Sequence, residues 1–200
     1  APSDVFMTID QIKYLINESV KNNKKWKFIT VLCGVPTLHK DFLEILNLLL
    51  EYKYKVQNFH YAGPQIRVIT NGYGARVQEI TSQIPRDVYV INTMKKSPNQ
   101  KFQSYNVAAI DLPEFNSMFT DFERGCQITN NCGLGLTRYG YYPCGAGGAV
   151  DRIFNFNIGI KDQSLLTNKN LRKQLKTLCK YCGYFKNKTM PDTGFDTTEE

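Results

Sequence analysis

Nowhere do these 200 residues carry an apolar run long enough to span a bilayer. The densest stretch, Phe42 to Leu50, is interrupted by Glu44 and Asn47, whereas a crossing helix needs about 20 apolar residues. No membrane association is expected. Histidine is nearly missing too: His39 and His60 are the only two. Both lie far upstream of the cysteine-rich region, so a mixed Cys/His metal site lacks half of its ligands. The opening residues show no charged stretch followed by an apolar run and a small-residue cleavage site. Nothing there marks the chain for export, so a disulfide framework is not expected and a reducing cytoplasm is. In that setting the sequons Asn17-Glu18-Ser19 and Asn187-Lys188-Thr189 read as accidental. The chain begins at Ala1 without an initiator methionine and ends in a polar acidic stretch. It is therefore expected to be part of a longer protein.

Cysteine is what the sequence has. Five of its six cysteines fall between residues 126 and 182, as Cys126-x5-Cys132-x11-Cys144 followed by the tight pair Cys179-x2-Cys182. Thiolates gathered from separated segments can close around one metal or iron-sulfur centre. Three readings compete. Disulfides would leave one cysteine over. A structural zinc site often uses Cys-x2-Cys as one half, but a matching second half is not present. A 4Fe-4S cluster tolerates looser spacing, because the cubane is larger than one ion and draws thiolates from distant loops. Cys33 stands alone and reads as a small buried apolar residue.

Length and a hydrophobic content of 42% fit an ordinary core. The net charge of +7 is uneven: Lys161 to Lys188 holds eight Lys or Arg against the single Asp162. Nucleic acid is one inference. A solvated helix face, or a positive surround for thiolates, is the preferred one.

Along the first half, helical and strand patterns alternate. Thr8 and Gln11 form a capping box ahead of a helix over about 9–22, with Ile9, Ile12, Ile16 and Val20 on its apolar face. Residues 27–33 predict a strand buried on both faces. Residues 40–54 predict a second helix, 65–70 a strand, 75–83 a short helix and 88–91 another strand. Such alternation predicts a parallel α/β sheet, with sites at the carboxyl ends of its strands. Two loops lie there, Cys33 to Asp41 and Thr70-Asn71-Gly72. The latter also reads as an ordinary turn. Later, Tyr139 to Cys144 predicts a strand, and Leu171, Leu175 and Leu178 mark a helix with Arg172, Lys173 and Lys176 on its other face. Those leucines are expected on the sheet edge. The run Gly145-Ala146-Gly147-Gly148 lacks the GxGxxG spacing of a dinucleotide loop and follows a cysteine. It is expected to let backbone N–H groups approach the sulfurs.

Here the chain resembles a family. CGVPTLHKDFLEIL is similar to the GGEPTLHPDF-type segment of radical S-adenosylmethionine enzymes, and ITNG to the loop those enzymes place after a following strand. CQITNNCGLGLTRYGYYPCGAGGAVDR with LCKYCGYF resembles the auxiliary iron-sulfur regions called SPASM or twitch. The likeness covers most of residues 8 to 185. It implies a partial, open parallel β/α barrel lacking its first strand over 1–110, a small Cys-rich α+β auxiliary-cluster region over 111–190, and a polar tail over 191–200. It also implies that Gly34, Val35 and Pro36 face the amino group of S-adenosylmethionine, with Thr70, Asn71 and Gly72 near its ribose or carboxylate. Four of Cys126, Cys132, Cys144, Cys179 and Cys182 would ligate an auxiliary 4Fe-4S cluster. Cys144, Cys179 and Cys182 are the firmest.

The departures matter as much. The family's Cys-x3-Cys-x2-Cys is absent, and in the family it lies just before the helix that opens this chain. Cys33 replaces the first Gly of GGEP, and Val35 its Glu. A charged hydrogen bond to the cofactor ammonium, of about 1.5 to 3 kcal/mol, is lost with that carboxylate. The resemblance implies radical chemistry on an unidentified peptide or small molecule, in which the cofactor does the hard step and the protein orients it and excludes water. His39, Asp151 and Arg152 are the acid-base candidates. The rival expectations are a noncatalytic module that binds a cluster, or a zinc ion through four cysteines, and, less favoured, a basic nucleic-acid binder.

Overall fold

Thr8 opens the first helix as its sequence predicts. In the computed structural model its hydroxyl accepts the Gln11 N–H at 3.3 Å, and the Gln11 side-chain oxygen accepts the Thr8 N–H at 3.0 Å. Two orphan donors are thereby satisfied at once. The structure describes residues 6–32, 34–96, 102–103, 107–115, 118–124, 126, 133–185 and 196–197. They fall into two compact units, one before residue 100 and one after it. That division comes about ten residues earlier than the boundary expected from the sequence.

The first unit holds helix α1 (Ile9–Lys21), strand β1 (Phe28–Val31), helix α2 (Phe42–Val56), strand β2 (Gln65–Thr70), helix α3 (Ala75–Ser82) and strand β3 (Tyr89–Asn92). The strands form a parallel sheet in the order β1-β2-β3, with Phe28 opposite Gln65 and Arg67 opposite Tyr89. Parallel neighbours need crossovers, and α2 and α3 supply them. The core gathers Ile12 of α1, Phe42, Leu46 and Leu49 of α2, and Ile66 and Val68 of β2. Lone Trp26 is tied to α1 by its indole N–H, which donates to the Ser19 hydroxyl at 2.9 Å.

One expectation changes here. Residues 28–31 are all half-buried rather than covered on both faces, because among the described residues β1 pairs only with β2 and stands at the edge of the sheet. Among the described residues the three strands make an open sheet and no closed barrel.

The second unit is mixed and small. Strands β4 (Gly135–Thr137) and β5 (Gly140–Tyr142) form a hairpin, with Leu136 opposite Tyr141. Tyr141 also exchanges two backbone bonds with Ile160, at 2.7 and 3.1 Å. Helix α4 (Gly145–Phe154) follows directly and ends at Asn155, whose φ of 54° is the left-handed cap. Helix α5 (Asn168–Leu178) is capped by the Thr167 hydroxyl, which accepts the Asn170 N–H at 3.2 Å. A single helical turn, Cys179–Tyr181, continues it. Leu178 packs with Tyr142 and Val150, and Leu175 packs beside Ala109, Phe115, Cys179 and Phe185. These leucines thus serve this unit's own cores. The sequence missed α4 as a helix: the Gly-rich run forms its first turn, directly after a short strand.

Candidate functional site

Strand β5 ends by delivering Cys144 to the N-cap of α4. Its sulfur accepts the Gly147 N–H at 3.3 Å, and the residue is 8% exposed. A helix start is where a thiolate is most favoured, because N–H groups and the helix dipole both point at it. Close backbone approach holds this corner together. A Cβ on Gly135 would lie 2.6 Å from the Cys144 carbonyl, and one on Gly147 would meet the Leu178 side chain at 3.2 Å. The end of α5 therefore packs against the start of α4, and Cys179 follows Leu178 immediately.

Cys179 is buried among Ala109, Phe115 and Phe185. Burial pushes its thiol far above the ordinary range, and the sulfurs of Cys182, Cys144 and Cys126 push it further. Cys182 is raised chiefly by burial as well, with Cys144 and Cys126 adding to the rise. The backbone N–H groups of Tyr184 and Phe185 pull it back down by donating to its sulfur. Cys179 and Cys182 thus each lie within electrostatic reach of Cys144 and Cys126, and none of the four is in a disulfide. Among the described residues no group of three or more His, Cys, Asp or Glu side chains is drawn together tightly enough to grip a metal ion. Cys132, the fifth candidate, lies outside the described residues, as does Cys33.

Behind this corner Tyr142 and Asp151 form a buried pair. The Tyr142 hydroxyl donates to Asp151, whose second oxygen accepts the Ile158 N–H at 3.2 Å. Asp151 is 2% exposed, so it braces α4 against β5 and the 156–158 loop rather than standing open as an acid or base. Sequence reasoning missed Tyr142, Gly135 and the Tyr184 N–H.

The six residues assigned to S-adenosylmethionine lie at the carboxyl edge of the first unit's sheet. Gly34 is exposed, with φ 56° and open space beside its Cα. Val35 and Pro36 enter a single helical turn, in which their carbonyls accept the Leu38 and His39 N–H groups at 2.9 and 3.0 Å. Next to them the Thr37 hydroxyl is buried, with no hydrogen-bond partner among the described residues. Thr70 is 1% exposed; its carbonyl accepts the Thr93 N–H at 2.9 Å and its hydroxyl the Gly72 N–H at 3.3 Å. Asn71 turns its side-chain oxygen to the Tyr73 N–H at 3.0 Å. Gly72 has φ 63°, and an added Cβ would strike the Asn92 side chain at 2.3 Å. Thr70 thus builds the loop from inside, while Gly34, Asn71 and Gly72 form its accessible rim. His39 is committed on both nitrogens: Nδ1 accepts the Asp41 N–H at 3.0 Å, which leaves Nε2–H to donate to the Met7 carbonyl at 2.9 Å.

No protein-family model, curated protein or solved structure matches this chain.

Proposed function

We propose that the second unit binds an iron-sulfur cluster through Cys126, Cys144, Cys179 and Cys182, with Cys132 as the alternative to one of them, within a protein of the radical S-adenosylmethionine type. The convergence of these sulfurs in one corner carries the reading: burial raises Cys179 and Cys182, and Cys144 and Cys126 add to both rises. Thiols crowded in an apolar corner resist ionising, and a cationic core reverses that penalty by accepting their thiolates. The donor chemistry fits. All four are sulfurs, and N–H groups already point at two of them: Gly147 at Cys144, and Tyr184 and Phe185 at Cys182. Such donors tune a cluster's potential. A bound cluster supplies one-electron transfer or an iron site for substrate. Gly34, Val35, Pro36, Asn71 and Gly72 are the residues that would hold S-adenosylmethionine in the first unit, with Thr70 shaping the loop behind them. The substrate is then a peptide or small molecule rather than nucleic acid.

Anaerobic reconstitution of the full chain with iron and sulfide tests this. About four irons and four sulfides per chain are expected, with broad visible absorbance that bleaches on reduction. A second reading, a zinc site of four cysteines, is favoured by the N–H groups that fold back onto Cys182, a tight loop well sized for one ion. It predicts one tightly held zinc, no colour and no bound sulfide. Failure to retain either metal sinks both.

A further inference from the structure

We infer that the outer face of α5 is a docking strip for an acidic protein segment. Lys169, Arg172, Lys173 and Lys176 stand at positions i, i+3, i+4 and i+7, which a helix lines up on one face. Lys180, in the turn that continues α5, prolongs the row. The first four are exposed and Lys180 is half-buried. The opposite face is occupied, because Gln174 and Leu178 are buried in this unit and Leu171 and Leu175 are half-buried. This face of cations therefore has nowhere to turn but outward. Only Lys176 meets a carboxylate among the described residues, Glu123 at 3.7 Å.

The arrangement works against the helix that bears it. Like charges three and four residues apart repel. Lys169 also sits in the first turn, where the helix dipole disfavours a cation and where no acidic residue balances it. A helix optimised only for its own stability would place its charges otherwise. An anionic partner relieves both penalties together.

Spacing and surroundings select the kind of anion. Cations one turn apart on this face are about 4.5 to 6 Å apart along the axis, three or four residues at 1.5 Å each. Carboxylates repeating every three or four residues on a partner helix share that interval. A single-stranded nucleic acid would want exposed aromatic rings beside the cations. Tyr181, beside Lys180, is half-buried and packs on Phe154 and Phe156, with ring centroids 4.6 and 5.1 Å away. Glu123, seated on the row, would also repel a continuous phosphate backbone. An acidic helical segment can pass it by leaving that one position uncharged. This inference is independent of which metal the cysteines hold.

The test uses the full chain and a labelled oligoglutamate, followed by fluorescence anisotropy over a series of salt concentrations. Binding is expected to weaken linearly on logarithmic axes as salt rises. K169E/R172E/K173E should reduce affinity by about tenfold or more at low salt. K169Q/R172Q/K173Q, which keeps good helix formers, should reduce it less but measurably. Lys24→Glu with Lys25→Glu, on the other unit, should leave it unchanged. Metal content and near-ultraviolet circular dichroism of each variant show that the unit still folds. Equal loss from the Lys24/Lys25 variant, or none from either α5 variant, overturns the proposal. So does an oligouridylate of matched charge that binds more tightly than the oligoglutamate.

Discussion

The Tyr142 hydroxyl donates to the buried carboxylate of Asp151, joining β5 to α4 directly behind the Cys144 corner. Tyr142 is fully buried and Asp151 2% exposed, so neither group can fall back on water if the other is removed. Tyr142→Phe leaves Asp151 buried with the Ile158 N–H and is expected to destabilise the second unit by about 1.5 to 3 kcal/mol. Asp151→Ala removes the phenol's carboxylate acceptor, leaving it the Thr137 hydroxyl, and frees the 156–158 loop, and should cost at least as much. Urea unfolding followed by near-ultraviolet circular dichroism measures both. A Tyr142→Phe change below about 0.5 kcal/mol, the ordinary surface range, would show that the pair is not a brace.

The first turn of α4 yields a contrast between two glycines one turn apart. At Gly145 an added Cβ meets nothing within 4 Å. Gly145→Ala should be neutral or stabilise by up to about 1 kcal/mol, since alanine loses less backbone entropy in a helix. At Gly148 the same atom would lie 2.5 Å from the Thr137 methyl and 3.2 Å from the Tyr142 ring. Gly148→Ala should destabilise by about 1 to 3 kcal/mol through overpacking. Thermal melts of the two variants decide it, and equal midpoints would mean that the hairpin yields to α4 freely.

These glycines also show where the sequence stops being legible. Helix α1 was readable down to its capping box because Thr8 and Gln11 are neighbours whose bonding is local. The strand over 65–70 was readable to the residue, since its composition and flanking turns agree. Helix α4 was not, because its first five residues are all Gly or Ala in a pattern that suggests a loop. What makes it a helix is tertiary: small residues let Leu178, Tyr142 and Thr137 close upon it. The cysteine set was legible as a list of thiols. Which N–H groups face which sulfur depended on turns that no spacing rule specifies.

Substitution of the thiols one at a time separates ligands from bystanders. Cys179→Ser and Cys182→Ser should each lose most of the reconstituted metal and all of the visible colour, because serine at neutral pH offers no comparable soft anion. Cys144→Ser should do the same, although its hydroxyl still suits the helix N-cap; retained helix content with lost metal would isolate the ligand role. Cys33→Ser should leave the iron and sulfide stoichiometry intact, since Cys33 belongs to the other unit's sequence. Iron loss with Cys33→Ser alone would redirect the whole assignment.

Alkaline titration probes the buried phenols. Burial raises the phenols of Tyr52, Tyr61 and Tyr142, with Tyr61 adding to the rise at Tyr52 and the Asp151 hydrogen bond adding at Tyr142. At exposed Tyr54 the hydrogen bond to Asp87 is the main cause. A raised folded value means that the fold favours the neutral phenol. The stability so contributed is fully present below the ordinary tyrosine value of about 10 and is lost as pH climbs through the folded values. Tyrosinate absorbance from these four should therefore rise later in the native chain than in denaturant. Tyr142→Phe should remove part of that lag. Coincident native and denatured titration curves would mean that these phenols already meet water.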